Sequence, residues 1–360
     1  LYLLMKKILN FFFTFIFIII ILELISFSLY KINVLEISHK PKIYLKKNYV
    51  TEYNFWNEEN EWGAWRPANT KSIQKRSCYD VEYKTNEVGA RDSSFNNLRG
   101  RNGLLIGDSF AEGYGVNYNH TSQFILEKIK KVNIINLGIS KNTGPVQYWL
   151  IYSAFKSKYD HDFVLIYFLP HNDFGENDYS NWKGSKRYRP YYINKDDKYE
   201  IFIPNYAIKN YISSTKKIKN YLKDYLWSSN LFINLNYQYK LYRSSKKNYN
   251  NFSAFFDAPL NQQKASIYFL DKIINDSNKK IFLVSIPRLQ DYYENKNINN
   301  VYWHNYYKLK DENTSNFKFI NLIEYPPKNL ESIYLKCDGH WSPDGNKWAA
   351  EIISEKLMLD

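Results

Sequence analysis

Past residue 100 the chain alternates short apolar runs with amphipathic stretches. "GLLIG" (103–107), "VNIINLG" (132–138), "DFVLIYFLP" (162–170), "KIFLVSIP" (280–287) and "FKFINLI" (317–323) read as strands, and 162–170 is continuously apolar, as expected where both faces of a parallel sheet are covered. "TSQFILEKIKK" (121–131), "PVQYWLIYSAFKSKY" (145–159), "QQKASIYFLDKIIND" (262–276) and "PDGNKWAAEIISEKL" (343–357) carry apolar residues at helical spacing. Strands alternating with helices predict a parallel sheet between two helical layers, a three-layer α/β/α domain over residues 101–360.

The rhythm breaks at about 174–260. There "YYINKDDKYEIFI" (191–203) predicts a hairpin, and 213–245 predicts helices rich in Tyr, Lys and Asn. We expect this stretch to be an inserted, cap-like segment. Residues 31–100 read as a basic linker followed by a Trp-rich lead-in. In "FWNEENEWGAWRPAN" (55–69), Gly63 and Pro67 exclude a long helix.

Residues 8–30 form an almost unbroken apolar run, enough for one crossing at about twenty residues per span. An uncleaved transmembrane anchor fits better than a signal peptide. The run exceeds the roughly 7–15 residues of a signal's apolar region, and Ser26-Phe27-Ser28-Leu29-Tyr30 makes a poor cleavage site. Lys6 and Lys7 precede the run, whereas Lys31, Lys40, Lys42, Lys46 and Lys47 follow it. Long domains translocate largely regardless of such charges, so the expected placement of the domain is extracytoplasmic.

A net charge of +13 would suit nucleic acid, but the lysines are spread along the whole chain and no nucleic-acid motif accompanies them, so no nucleic-acid partner is expected. Aromatic residues, 18% of the chain, suffice for a large core. The two cysteines, Cys78 and Cys337, exclude a cysteine-rich scaffold and a four-cysteine zinc site. Two buried thiols is the simpler reading, with one long-range disulfide open if the domain sits in an oxidising compartment.

Ser109 follows the 103–107 strand directly, and in open parallel sheets ligands bind at the carboxyl ends of strands. Gly-Asp-Ser is also ordinary turn and helix-cap chemistry, so Ser109 needs partners. Asp338 and His340, just before the last helix, can supply them: an imidazole to take the hydroxyl proton and a carboxylate to orient the imidazole.

The chain resembles the SGNH, or GDSL, hydrolase family, whose four blocks occur here in order. They are "GDSF" (107–110) with Ser109, "NLGIS" (136–140) with Gly138, "PHND" (170–173) with Asn172, and "DGHWSPDG" (338–345) with Asp338 and His340. The resemblance runs from about residue 84, where "KTNEVGARD" looks like a family lead-in, to the C-terminus, but does not cover 174–260. It implies a flavodoxin-like domain and ester chemistry through an acyl-enzyme on Ser109, with His340 as base and then acid and Asp338 as its orienter. The oxyanion hole would comprise the Ser109 and Gly138 N–H groups and the Asn172 amide. The chemistry requires no metal or cofactor.

Two departures stand out: Pro170 replaces the third block's usual glycine, and only Gly339 separates Asp338 from His340. Asp108 and Asp173 read as structural hydrogen-bond partners. The implied substrate is a small-molecule or glycan acyl ester, with O-acetyl groups of cell-envelope glycans as one class. The alternatives are an O-acyltransferase acting on an exopolysaccharide and a non-catalytic glycan-binding protein using Trp56, Trp62, Trp65 or Trp182. A metal-dependent phosphoesterase built on Asp108, Asp173, Asp338 and His340 would leave the serine without a role.

Overall fold

The computed structural model describes residues 2–32, 41, 49–50, 57–76, 78–96, 98–140, 143–183, 189–195, 198–204, 214–245, 253–294 and 296–359. Its centre is a five-stranded sheet built from β1 (Asn102–Ile106), β2 (Asn133–Asn136), β3 (Phe163–Phe168), β4 (Lys280–Ser285) and β5 (Phe317–Asn321). Every neighbouring pair is parallel. The spatial order is β2-β1-β3-β4-β5, the flavodoxin-like arrangement.

Successive strand residues point to opposite faces, which sorts the core into two clusters. Val164, Ile166 and Phe168 of β3 join Leu104 and Ile106 of β1 on one face. Phe163, Leu165 and Tyr167 join Leu105 on the other. The first face is covered by α2 (Pro145–Phe155), α3 (Leu260–Asp276) and α4 (Tyr302–Asn313), through Tyr148, Ile151, Leu270, Ile273, Trp303 and Tyr307. The second is covered by α1 (Ser122–Lys130) and α5 (Pro343–Lys356), through Leu126, Ala349, Ala350 and Ile353. The expected strands and helices of this domain form within a few residues of their predicted bounds, while α4 has no counterpart in the sequence pattern.

Because the chain leaves β1 toward one edge of the sheet and returns to place β3 on its other side, the crevice between the carboxyl ends of β1 and β3 is the switch point at which such sheets bind ligands. Ser109 follows β1 and Asn172 follows β3.

The lead-in segment contains more strand than its sequence predicts. Strands Lys71–Arg76 and Tyr79–Lys84 pair antiparallel, with Arg76 opposite Tyr79, and a third strand, Tyr49–Val50, joins them. Cys78 lies in the tight connection and is bonded to Cys337, 259 positions away. The simpler reading of two free thiols is therefore corrected: folding brings the 71–84 hairpin against the loop that carries Asp338 and His340, so the cysteines meet. Such a bond restricts the unfolded chain, and its loss costs about 2–5 kcal/mol. Adding dithiothreitol, or substituting Cys337→Ser, should lower the denaturation midpoint accordingly, and an unchanged midpoint in reductant would mean that the bond does not form.

Most of the basic linker, 31–47, lies outside the described residues. The N-terminal helix, Tyr2–Lys31, is long and apolar enough to cross a membrane. Within 174–260 the predicted hairpin forms, Tyr191–Lys195 against Lys198–Phe202, followed by helices Ser214–Tyr225 and Trp227–Ser245. Trp227 and Leu231 pack on Phe27 and Tyr30 of the N-terminal helix.

Candidate active site

The loop that carries Ser109 is shaped by close backbone approach. A side chain at Gly107 would lie 2.8 Å from Ala111 Cβ and 2.9 Å from Tyr167 Cβ, so only glycine lets the turn after β1 press onto β3. The short helix Ser109–Glu112 follows, with Asp108 as its N-cap accepting from the Phe110 N–H at 2.9 Å. Ser109 is the first residue of that helix, so its N–H has no acceptor within the helix. Arg91 donates to the carbonyl of Glu112, the last residue of the helix, and to those of Gly113 and Val116 beyond it.

Asp338 and His340 sit on a loop closed by Leu335 N–H to the His340 carbonyl at 2.6 Å and by Gly339 N–H to the Leu335 carbonyl at 3.0 Å. Gly339 has φ +78°, the left-handed region that glycine adopts without strain. This turn lets one intervening residue bring the two side chains together. His340 Nδ1 is 3.1 Å from Asp338 Oδ1, and His340 Nε2 is 2.8 Å from Ser109 Oγ. The imidazole lies between the rings of Phe110 and Tyr114, with centroids 5.1 and 4.6 Å away. Burial pushes the Asp338 carboxyl up, but the His340 hydrogen bond, the imidazole charge and Arg76 outweigh it and hold the group below the usual carboxylate range.

Burial pushes Asp108 up to about 6, against the opposing pull of the Phe110 N–H and His340. Its ionised form is thus less favourable in the fold than in the open chain, where a carboxyl titrates near about 4, and its ionisation lowers stability as pH rises from there through about 6. Asp108→Asn retains a capping oxygen without the charge. Its melting temperature should gain on wild type between about pH 4 and about pH 7, and parallel pH curves would contradict the raised value.

Helix Pro170–Glu176 starts directly after β3 and Leu169. Pro170 occupies its first turn, where a missing N–H and fixed φ are well tolerated, so the departure from glycine leaves the local backbone helical. Asn172 lines a cavity of about 320 Å³ with Ser109, His340, Asp338, Arg76, Tyr114, Ile139, Ser140 and Thr143. A larger adjoining cavity, about 740 Å³, shares Asn172, Asp338 and His340 and extends to Arg288, Gln290 and Glu331. Among the described residues, none from 191–260 lines either cavity. The segment expected to act as a cap instead sends one helix toward the N-terminal helix.

The loop after β2 reaches the site differently from its sequence expectation. Gly138 packs so closely on helix Ser109–Glu112 that a Cβ would lie 2.5 Å from Glu112 N. Its N–H donates to Asn136 Oδ1 at 2.8 Å, while Asn136 Nδ2 donates to the Ala111 carbonyl at 2.7 Å. Beneath this loop, the fully buried Arg66 and Glu112 form an ion pair at 2.9 Å, and Arg66 donates to the Gly138 carbonyl at 2.9 Å. Sequence reasoning missed Arg66, Arg76, Arg91, Glu112 and Asn136; a charged residue beside a tryptophan pair or within a glycine-rich turn was the only local signal.

Asp173 is buried and accepts from the Leu169 N–H at 2.8 Å and the Tyr148 hydroxyl at 3.0 Å, a structural position. No group of three or more His, Cys, Asp or Glu side chains is placed to hold a metal among the described residues. Of the tryptophans considered as glycan platforms, Trp56 lies outside the described residues. Trp65 is buried and Trp62 packs against it, with both on Phe155.

Fold and geometry define a flavodoxin-like α/β/α domain with a serine, a histidine and an aspartate in hydrogen-bonded series at the carboxyl edge of its sheet. No family model matches the chain, and no curated protein matches it significantly. Among solved structures it is similar to a lipolytic protein of the G-D-S-L family from Desulfitobacterium hafniense DCB-2, at 13% identity over 72% of this chain and 100% of that one, with a TM-score of 0.38. It is also similar to a lipase from a goat rumen metagenome (13% identity, 72% and 100% covered, TM-score 0.40) and to a family 3 carbohydrate esterase from Clostridium thermocellum (12%, 71% and 94%, TM-score 0.35). Fold and chemistry alike are argued from the residues of this chain.

Proposed function

We propose that this chain is a membrane-anchored serine esterase that hydrolyses acyl esters, O-acetyl groups of a cell-envelope glycan among them, through an acyl-enzyme on Ser109. The observation that carries this reading is the series Ser109 Oγ, His340 and Asp338 at 2.8 and 3.1 Å, opening on a cavity at the switch point of the sheet.

Asp338 accepts the Nδ1 proton of His340, leaving Nε2 as the base that takes the Ser109 proton while Oγ bonds to the ester carbonyl carbon. The tetrahedral oxygen then gains negative charge, which the Ser109 N–H and the amide of Asn172, both lining the cavity, would stabilise by donating to it. The Gly138 N–H is turned to Asn136, so the hole rests on two donors instead of the three that the sequence implies. His340 returns the proton to the leaving alcohol. Water then repeats the sequence on the acyl-enzyme, releasing the acid and restoring Ser109.

The Cys78–Cys337 bond supports an extracytoplasmic domain, since such bonds persist in oxidising compartments. The apolar helix Tyr2–Lys31 supports the anchor. The testing experiment is a panel of short p-nitrophenyl esters and acetylated glycans, assayed with chelator present and with or without a sugar acceptor. Acid release that survives the chelator is expected. Acylated acceptor in place of free acid would favour the transferase, and no reaction with any ester or with a fluorophosphonate probe would reject the catalytic reading.

A further inference from the structure

An ionised carboxylate in an apolar helix needs a partner. Glu23, within the N-terminal helix, accepts from the Trp227 N–H at 2.8 Å, the Ser228 N–H at 2.9 Å and the Ser228 hydroxyl. It therefore caps helix Trp227–Ser245, placing its charge at the positive end of that helix's dipole. Trp227 also packs on Tyr30 and Phe27, with centroids 4.6 and 5.6 Å away. Tryptophan and tyrosine concentrate at the level of lipid headgroups, and Glu23 lies about 12 Å from the end of its helix at about 1.5 Å per residue. The start of helix Trp227–Ser245 is thereby pinned near the same level.

Helix Ser214–Tyr225 precedes it by one residue. Its Ile218, Tyr221, Leu222 and Tyr225 recur at the spacing of a single helical face, and are 60%, 64%, 38% and 44% exposed. Phe232, Leu235 and Tyr239 of the following helix are exposed as well. The sequence of the first helix adds Lys216, Lys217, Lys219 and Lys223 against one acid, Asp224. An apolar stripe with lysines, held at the end of an apolar helix, has the composition of an element lying in a membrane interface.

We propose that helices Ser214–Tyr225 and Trp227–Ser245 lie on an anionic bilayer surface, with the stripe at the headgroup–acyl boundary and the net positive charge of the first helix matched to anionic headgroups. This rests on reading Tyr2–Lys31 as a membrane span. The contact gives the domain a second attachment and fixes the height of its active site above the lipid, which a single helix and a linker leave open.

The test uses the full chain reconstituted in phosphatidylcholine vesicles with and without phosphatidylglycerol. A nitroxide is placed singly at Phe17→Cys, Tyr221→Cys or Leu222→Cys, and its collisions with oxygen and with a water-soluble nickel chelate are compared. Oxygen should dominate at Phe17 in both lipids. At Tyr221 and Leu222 the oxygen-to-nickel ratio should rise several-fold when phosphatidylglycerol is present, and Ile218→Asp should return the Tyr221 label to water while leaving the Phe17 label in the bilayer. A wet Tyr221 label with a bilayer-embedded Phe17 label overturns this proposal alone. A wet Phe17 label overturns the anchor and the proposal together. A Tyr221 label shielded from both reagents means that protein covers the stripe, a second copy or a partner helix, and also overturns it.

Discussion

Ser109→Ala and His340→Ala are each expected to lower kcat on an acyl ester by on the order of 10⁶-fold, with the double variant no worse than either single one. The non-additivity follows from the geometry: with Nε2 at 2.8 Å from Oγ, each group acts only through the other. Loss of the serine removes the atom that bonds to carbon, and loss of the imidazole leaves a hydroxyl with no proton acceptor. Wild type should react with a fluorophosphonate and Ser109→Ala should not, while thermal unfolding of both variants stays cooperative. Ester turnover retained by purified Ser109→Ala would reject the assignment of the nucleophile.

Asn172→Ala should lower kcat by roughly 10²–10³-fold while leaving KM nearly unchanged, because an oxyanion donor meets full charge only when the carbonyl becomes tetrahedral. With the Gly138 N–H engaged by Asn136, the loss falls on one of two donors, which places it toward the upper part of that range. Asn172→Asp should be at least as damaging, since it sets a negative charge where another develops. His171→Ala is the control: its ring contacts Arg288 in the larger cavity, so it should cost far less than His340→Ala. Near wild-type kcat in Asn172→Ala would remove Asn172 from the hole.

The central sheet was legible because its middle strand, Phe163–Phe168, is buried along its whole length and so must be continuously apolar, and its neighbours are largely buried as well. Helix α4 was not, because its buried residues, Trp303, His304 and Tyr307, include a polar imidazole and no aliphatic side chain, so no amphipathic stripe stands out. The 71–84 hairpin escaped for a related reason: Tyr79, Val81 and Tyr83 alternate with polar residues beside a Trp-rich stretch that reads as a break. The motif blocks pointed to the neighbourhood of the site, since each lies at a strand end or before the last helix. They could not reveal the grip of Asn136 on Gly138 or the Arg66–Glu112 pair beneath it. Those contacts depend on how closely two loops approach, which a single sequence does not encode locally.

The bond between Cys78 and Cys337 encloses the sheet, most of its covering helices and the whole 174–260 segment in one covalent ring. A protease that cuts once inside that ring divides the backbone but not the molecule. A cut between helices Ser214–Tyr225 and Trp227–Ser245 would leave Ser109 on one fragment and His340 on the other, still tied together one residue from Asp338. Such a nicked chain runs as a single band on an unreduced gel and as two after reduction. The same ring would hold Ser109 and His340 of the proposed centre together across the cut, so on that reading an intact backbone and an intact centre are separate properties.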